Sequence, residues 1–391
     1  MLESIRVQNF RSCEDVELRL GESIVALVGK NGAGKTNLLH AIQIVAQLCL
    51  GSPDTEFTPR PRDPSRPTAF TLDFSFDEHK YRYVTARQSS TEHSKLEESL
   101  TRDGTLLFAR EGDRLRALYP PFDSGATVPA SLGSLFLLLQ FSSTNEDLGK
   151  QLQPLVEYLR GIRYYPLTQQ FNEHSSRAAP RFVDAARHAK WRGEFPAGGN
   201  ADSVPHRLVE MHLKSDPSLD ELKRILGDDG LGLIADIRIQ DFAVPMPRRS
   251  DPDALEKAYA ISFVPCDSIA GAGRPFSLTG LSAGTWRIVR FLTYLLFDRS
   301  TCMLVEQPED SIHAGLLSKL IDILRTYSDR TQFVCTTHSP RVTNLVGATG
   351  IRIVTADSGR TAVMELSPQD VEASQAYVAE EGTLAEFLEM L

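Results

Sequence analysis

Apolar and polar positions change period several times along this chain. Near the N-terminus LESIRVQ and VELRL alternate with a period of two, and SIVALVG is a short continuous apolar run. The first pattern suits half-buried strands, the second a strand covered on both faces. NLLHAIQIVAQLCL then takes helical spacing. Residues 51–67 hold five prolines, which predicts a loop or surface excursion. From Ala69 to Arg110, AFTLDFSF, KYRYVTAR and TLLFAR read as an antiparallel meander with polar turns between the strands.

Between Ala130 and Asp229 the spacing is mainly helical, in SLGSLFLLLQF, LGKQLQPLVEYLRG and SLDELKRIL. GIRYYP interrupts it as a short strand stopped by Pro166. IADIRIQDF and KAYAISFVP return to strand character. The last third alternates: AGTWRIVRFLTYLLF (helix), CMLV (strand), LLSKLIDILRTY (helix), TQFVCTT (strand), then IRIVTA and TAVMEL as a hairpin. No internal repeat or long heptad run is visible, so an extended coiled coil is not expected. With α/β character at both ends, one α/β domain is split in sequence and rejoined in space. The expected parts are 1–110, a mainly helical insertion at 111–232, and 233–391.

The 391 residues, 41% of them hydrophobic, fit an ordinary globular protein. A net charge of -9 means that any nucleic-acid contact must come from a local basic patch. Two such sets stand out: Arg60, Arg62 and Arg66 in the proline-rich stretch, and Arg177, Arg181, Arg187, Lys190 and Arg192 interleaved with Phe182 and Trp191. For each, a solvated face is an equally good reading. Cys13, Cys49, Cys266, Cys302 and Cys335 lack metal-ligand spacing and read as small buried hydrophobes in a reducing compartment. The N-terminus has no apolar signal region and the apolar runs are too short to span a bilayer. A cytoplasmic protein with no membrane segment is expected.

Chemistry enters at Gly29-Lys-Asn-Gly-Ala-Gly-Lys35-Thr36, which satisfies G-x-x-x-x-G-K-[ST] between a predicted buried strand and a predicted helix. Glycines let the backbone wrap closely, so that N–H groups and the helix N-terminus face phosphate oxygens. Gly29, Asn31, Gly32, Ala33 and Gly34 would form the cradle. Lys35 would reach the β- and γ-phosphates of ATP, and Thr36 would place its hydroxyl on Mg²⁺. Three further segments suit a nucleotide site. LSAG puts Ser282 and Gly284 at a helix start, where N–H groups are free; taken alone, Ser282 reads more readily as a plain N-cap. CMLVEQPED ends a buried strand in acid, and TQFVCTTHSP ends one in His338.

In this order, the segments make the chain resemble the ATP-binding-cassette (ABC) type of ATPase, in the branch containing the SMC proteins, RecF and the overcoming-lysogenization-defect (OLD) family. NFRS (Asn9 to Ser12) resembles that branch's N-terminal motif, LSAGT its signature, VEQPEDSIH its Walker B and D-loop run, and TTHSP its switch motif. The resemblance covers residues 1–110 and 275–350. It implies an ABC-type P-loop NTPase head with an antiparallel β subdomain and a mainly helical insertion. It also implies ATP and Mg²⁺ as cofactors, Arg11 near the nucleotide, and a homodimer closed by ATP in which Ser282 and Gly284 reach the opposite subunit's γ-phosphate. A Q-loop glutamine is implied as well; Gln140, Gln169 and Gln170 are the candidates.

Two residues depart from the family pattern. Glu306 stands where an Asp usually helps to hold Mg²⁺, and Gln307 stands where a Glu acts as general base. An amide can orient water but cannot take its proton at neutral pH. Slow turnover is therefore expected of an ATPase whose catalytic set is Lys35, Glu306, Gln307 and His338. OLD nucleases continue into an acidic, metal-binding nuclease domain, and the stretch from His338 to Leu391 is too short for one. The expected role is a sensor or scaffold regulating a separate effector, a nuclease or toxin, in anti-phage defence. The alternative is a RecF-like DNA clamp in repair. Higher oligomers and nucleic-acid binding stay open, and a transporter subunit is disfavoured by the long separation of Lys35 from Ser282.

Overall fold

The computed structural model describes residues 1–50, 60–88, 95–118, 122–128, 133–141, 146–165, 182–194, 204–245, 255–266 and 274–390. The chain forms two compact units, one of Met1–Tyr165, Ser300–Pro308 and Ile321–Leu391, the other of Pro166–Arg299 and Glu309–Leu320. The first begins with β1 (Leu2–Phe10), β2 (Cys13–Arg19), β3 (Ile24–Val28) and α1 (Lys35–Leu50). A run of strands follows: β4 (Thr68–Phe76), β5 (His79–Gln88), β6 (Lys95–Arg102), β7 (Thr105–Glu111), β8 (Arg114–Ala117) and β9 (Ala126–Thr127). Then come α2 (Ser134–Phe141), α3 (Glu146–Arg160) and β10 (Ile162–Tyr165).

The second unit holds β11 (Val183–Asp184), α4 (Ala185–Glu194), α5 (Val204–Leu213), α6 (Pro217–Leu226), β12 (Ile234–Pro245), β13 (Leu255–Pro265), β14 (Phe276–Ser277) and α7 (Ala283–Asp298). The chain then runs through β15 (Cys302–Glu306), α8 (Ala314–Tyr327), β16 (Gln332–Thr337) and α9 (Pro340–Val346). It closes with β17 (Ile351–Asp357), β18 (Arg360–Glu365), α10 (Pro368–Glu380) and α11 (Leu384–Met390).

Two sheets build the first unit. One is antiparallel, in the order β2-β1-β4-β5-β6-β7-β8-β9; the other runs β10-β15-β16-β3-β17-β18 and is parallel up to its last strand. Every residue of β16, and all of β15 before Glu306, is buried, as an unbroken apolar run requires when a parallel sheet is covered on both faces. α1 is apolar nearly all round, with Leu38, Leu39, Ile42, Val45 and Leu48 all buried. Each large side chain of this kind contributes roughly 1.5–3 kcal/mol by burial. Gln332 ties the sheets together: its Nε2 donates to the Leu2 and Glu22 carbonyls at 3.0 Å, and its Oε1 accepts from the Leu2 N–H at 2.8 Å.

Several expectations change. The meander has an extra strand, β6, between those read from the sequence, and it continues past Arg110 to β9. β6 was hidden because Glu98 occupies an inward position between Leu96 and Leu100, buried against Tyr83, Ser134 and Arg110. β10 is an edge strand of the parallel sheet, paired with β15 from Ile162 to Tyr165. The compact unit accordingly extends to Tyr165, past the expected boundary at 111, and residues 233–299 group with the second unit. α11 sits on α9, where Asn344 accepts from the Ala385 N–H at 2.8 Å, so it caps the core.

On α4, Arg187, Lys190 and Arg192 are exposed while His188 and Trp191 are buried; Arg177 and Arg181 lie outside the described residues. The part of the proline-rich stretch at 51–59 lies outside them too. All five cysteines are buried thiols. No helix among the described residues is long and apolar enough to cross a membrane.

Candidate nucleotide site

Strand register assembles the site. β15, β16 and β3 are neighbours, with Glu306 beside Thr336 and Thr337 beside Val28. Their carboxyl ends therefore finish side by side, the place where parallel α/β sheets bind ligands. The loop after β3, Glu306 at the end of β15 with Gln307 next to it, and Thr336 of β16 line it, and His338 follows β16 without lining it. A cleft of about 240 Å³ results, lined by Asn31 to Asn37, Glu306, Gln307 and Thr336.

The loop's shape needs its glycines. Gly34 has φ +102°, and a Cβ there would lie 2.0 Å from Thr361 Oγ1. At Gly29 a Cβ would lie 2.0 Å from the Val354 carbonyl oxygen. Lys35 is buried, and its ammonium donates to the Gly29 and Lys30 carbonyls at 2.6 and 3.0 Å. The charge is thus held on the cleft's own backbone, at the first residue of α1, where N–H groups have no intrahelical acceptor.

Glu306 and Thr36 both line the cleft. Glu306 Oε1 is buried with no hydrogen-bond partner among the described residues. A buried carboxylate oxygen left so is costly, and a hard cation or its water shell would satisfy it. The donor set of one hydroxyl and one carboxylate beside a phosphate loop fits Mg²⁺, which is held by few protein oxygens and by phosphates. Gln307 adopts a left-handed backbone conformation, φ +43°, and its N–H donates to the Thr336 carbonyl at 3.0 Å. That turns its side chain to His338, with Nε2 and Nδ1 3.3 Å apart.

Arg11, also left-handed at φ +49°, donates from Nη1 to Asn37 Oδ1 at 3.1 Å and to His40 Nδ1 at 2.6 Å. Burial, then the Arg11 charge, push the His40 imidazole down to about 4, against a partial counter-effect of Glu306. Burial also lowers Arg11 from its ordinary value. The His40 ring stands edge-on to Tyr164 at 5.0 Å. Asn37 and His40 were not singled out from the sequence, although both lie on the helix that the phosphate motif opens. Thr336, inside an apolar strand, carried no signal.

Ser282 and Gly284 belong to the second unit. Ser282 is the N-cap of α7, accepting from the Thr285 N–H at 3.2 Å, and it is exposed. Gly284 packs on the D-loop segment: a Cβ would lie 2.3 Å from the Ser311 carbonyl oxygen. Arg287 Nη1 reaches Asp310 Oδ2 at 2.8 Å, a second tie between the same two segments. Gln140 lies on α2, exposed and outside the cleft lining; Gln169 and Gln170 lie outside the described residues.

Residues 1–109 match the family described as an AAA ATPase domain, and residues 178–344 match an AAA domain family whose description adds "AbiEii toxin, Type IV TA system". The OLD nuclease of Thermus scotoductus is 53% identical over 45 residues, 12% of this chain and 8% of that protein. The DNA replication and repair protein RecF of Paenarthrobacter aurescens is 49% identical over 47 residues, 12% of each. The chain thus spans about a tenth of the length of these curated relatives. A solved SMC head, bound in its crystal to the C-terminal winged-helix domain of ScpA, superposes with TM-score 0.50 at 13% identity, over 95% of this chain and 99% of that one.

The fold is that of an ABC-type P-loop ATPase head of the SMC kind, and in short segments the chain is similar to RecF and to an OLD nuclease. Its head fold is assembled from both matched stretches: the first supplies the phosphate loop, the second Glu306, Gln307, Thr336 and His338. In this SMC/RecF/OLD-like head, the unusual element is the amide of Gln307 facing His338.

Proposed function

We propose that this head binds Mg²⁺–ATP in the cleft after β3 and turns it over slowly, and that bound ATP closes a homodimer that regulates a separate effector in anti-phage defence. The observation that carries the slow-switch reading is Gln307, which lines the cleft and points its amide at His338. Mg²⁺, when bound, would neutralise negative charge on the phosphates. Lys35 would exchange its two loop carbonyls for the β- and γ-phosphates, and Thr36 and Glu306 would hold the metal. Gln307 and His338 hydrogen-bond the attacking water and orient it. Neither Gln307 nor its neighbour Pro308 can accept the water's proton, and lost general-base help lowers rate by on the order of 10²–10⁴-fold.

Exposed Ser282 at the start of α7 supports the dimer. Its helix N-terminus offers N–H groups and a hydroxyl to a phosphate carried by a second copy. An effector on another polypeptide is supported by the toxin-system description of one matched family and by likeness to an OLD nuclease in a short segment. The test compares wild type with Lys35→Ala by light scattering, with and without Mg²⁺–ATP, beside a multiple-turnover phosphate-release assay. Wild type is expected to dimerise with ATP and release phosphate slowly, while Lys35→Ala stays monomeric. Identical oligomeric behaviour of the two proteins would remove the sandwich. Salt-dependent DNA binding by the protein alone would move the reading to a clamp.

A further inference from the structure

The cleft is tied to the C-terminal hairpin by a chain of side-chain hydrogen bonds whose direction can be assigned. Arg11 only donates, so Asn37 Oδ1 must be its acceptor at 3.1 Å, which fixes the Asn37 amide orientation. Asn37 Nδ2 then donates to Ser12 Oγ at 2.7 Å. Ser12 and Thr361 hydroxyls lie 2.7 Å apart, and Thr361 Oγ1 lies 3.0 Å from the Ala33 carbonyl oxygen. A carbonyl can only accept, so Thr361 gives its hydrogen to Ala33 and takes one from Ser12. The relay therefore runs from Arg11 through Asn37, Ser12 and Thr361 to the phosphate loop, with each hydroxyl donating once.

Thr361 is buried and does more than end this chain. Its own N–H donates to the Ser12 carbonyl at 2.9 Å, and its Oγ1 occupies the space a Cβ on Gly34 would need. The turn before it is held from the other side, where Arg62 Nη1 donates to the Gly359 carbonyl at 2.7 Å. Arg62 sits in a segment organised by Asn9, whose Nδ2 donates to the Asp63 and Arg66 carbonyls at 2.9 and 2.8 Å. N-terminal segment, phosphate loop and β17–β18 hairpin thus share one polar network.

We propose that Thr361 is a positioning residue: through Ser12 and Ala33 it sets the conformation of the phosphate loop, so the β17–β18 hairpin governs how readily the cleft accepts ATP. The second half of this rests on the Mg²⁺–ATP reading above. The first half does not, since it concerns the loop in the nucleotide-free protein.

The experiment uses the full chain as wild type, Thr361→Val and Thr361→Ser. Valine keeps the shape and removes the hydroxyl; serine keeps the hydroxyl. Amide hydrogen exchange is followed in the nucleotide-free protein over residues 29–37, with β5–β7 as internal control, and Mg²⁺–ATP affinity is measured by calorimetry. Thr361→Val is expected to speed exchange of 29–37 about tenfold and weaken ATP about tenfold, as loss of one buried hydrogen bond allows. The control strands should stay as in wild type, and Thr361→Ser should restore both readouts. Unchanged exchange at 29–37 in Thr361→Val overturns the positioning role. Faster exchange with unaltered ATP affinity overturns the link to binding. If wild type binds no Mg²⁺–ATP while Thr361→Val still loosens 29–37, the positioning role stands and the nucleotide reading falls.

Discussion

Gln307 Nε2 lies 3.3 Å from His338 Nδ1, so the amide donates to the imidazole. An amide nitrogen cannot accept, and this fixes the lone pair of Nδ1 toward Gln307. Replacing Gln307 by Glu puts a proton acceptor at the same reach. Gln307→Glu is expected to raise steady-state turnover by on the order of 10²-fold, with little change in ATP affinity. Phosphate release under saturating Mg²⁺–ATP measures it. Equal rates for wild type and Gln307→Glu would mean that this position does not limit hydrolysis.

Glu306 Oε1 is buried without a hydrogen-bond partner among the described residues, in a cleft that Thr36 also lines. Removing the charge should weaken the metal more than the fold. Glu306→Gln is expected to need about tenfold more Mg²⁺ for half-maximal ATP turnover. Its nucleotide-free stability should hold or rise, because the negative charge on a partly buried carboxylate disappears. A Mg²⁺ titration of the ATPase rate, beside a urea curve without metal, separates these effects. An unshifted Mg²⁺ midpoint would take Glu306 out of the metal site.

How much of this was legible in the sequence follows from what each signal depends on. β3, β15 and β16 announce themselves because strands covered on both faces must be continuously apolar. The phosphate loop is legible because its glycines are demanded locally, by backbone angles and close approaches. β6 is not, because a buried Glu98 breaks the alternation and is tolerated through Tyr83, Ser134 and Arg110, which a linear reading does not bring together. The place of β10 depends on Ile162 pairing with Cys302. Thr361 is an ordinary threonine in a hairpin; its meaning comes from lying 3.0 Å from the carbonyl of Ala33, far away in sequence.

Gly284 has no room for a side chain, since a Cβ would lie 2.3 Å from the Ser311 carbonyl oxygen. Backbone must move if alanine is placed there. Gly284→Ala is expected to cost about 1–3 kcal/mol in stability. It should also shift the start of α7, and with it exposed Ser282, enough to abolish ATP-dependent dimers while leaving ATP binding by the monomer intact. Sedimentation with Mg²⁺–ATP and calorimetry distinguish the two properties. Normal dimers in this variant would show that the α7 start tolerates displacement, or lies outside the dimer contact.

His40 gives a pH dependence with a definite sign. It faces Arg11, Tyr164 and, at longer range, Glu306, and it is pushed from 6.5 to about 4 in the folded protein. The unfolded chain therefore binds this proton first, and stability falls as pH drops from about 6.5 toward 4. His206 is lowered to about 4 by burial and by His188, so the wild-type slope contains both histidines. Urea midpoints between pH 7.5 and 5 (roughly the window where this linkage acts) should decline less steeply in His40→Gln than in wild type. Parallel declines would assign the slope to other groups.

Arg207 and Asp298 form a bidentate ion pair, with Nε–Oδ1 at 2.7 Å and Nη2–Oδ2 at 2.9 Å, their side chains 3% and 0% exposed. Asp298 is the last residue of α7, where the helix dipole disfavours a negative charge. Arg207 thus offsets both burial and dipole, and its guanidinium also lies 4.7 Å from the Tyr294 ring centre. Arg207→Ala takes the bidentate guanidinium away from the buried Asp298 carboxylate, and is expected to cost about 3–5 kcal/mol. Replacing both, as Arg207→Met with Asp298→Leu, should recover most of that loss, because neither charge then needs compensation. Urea unfolding of the three variants at pH 7 reads the cycle. If the single change costs under about 1 kcal/mol, the range of an exposed pair, water reaches the carboxylate and the pair is not the anchor of α7. If the double variant is no better than the single, packing of the Arg207 stem against Tyr294 carries the stability and the charges do not.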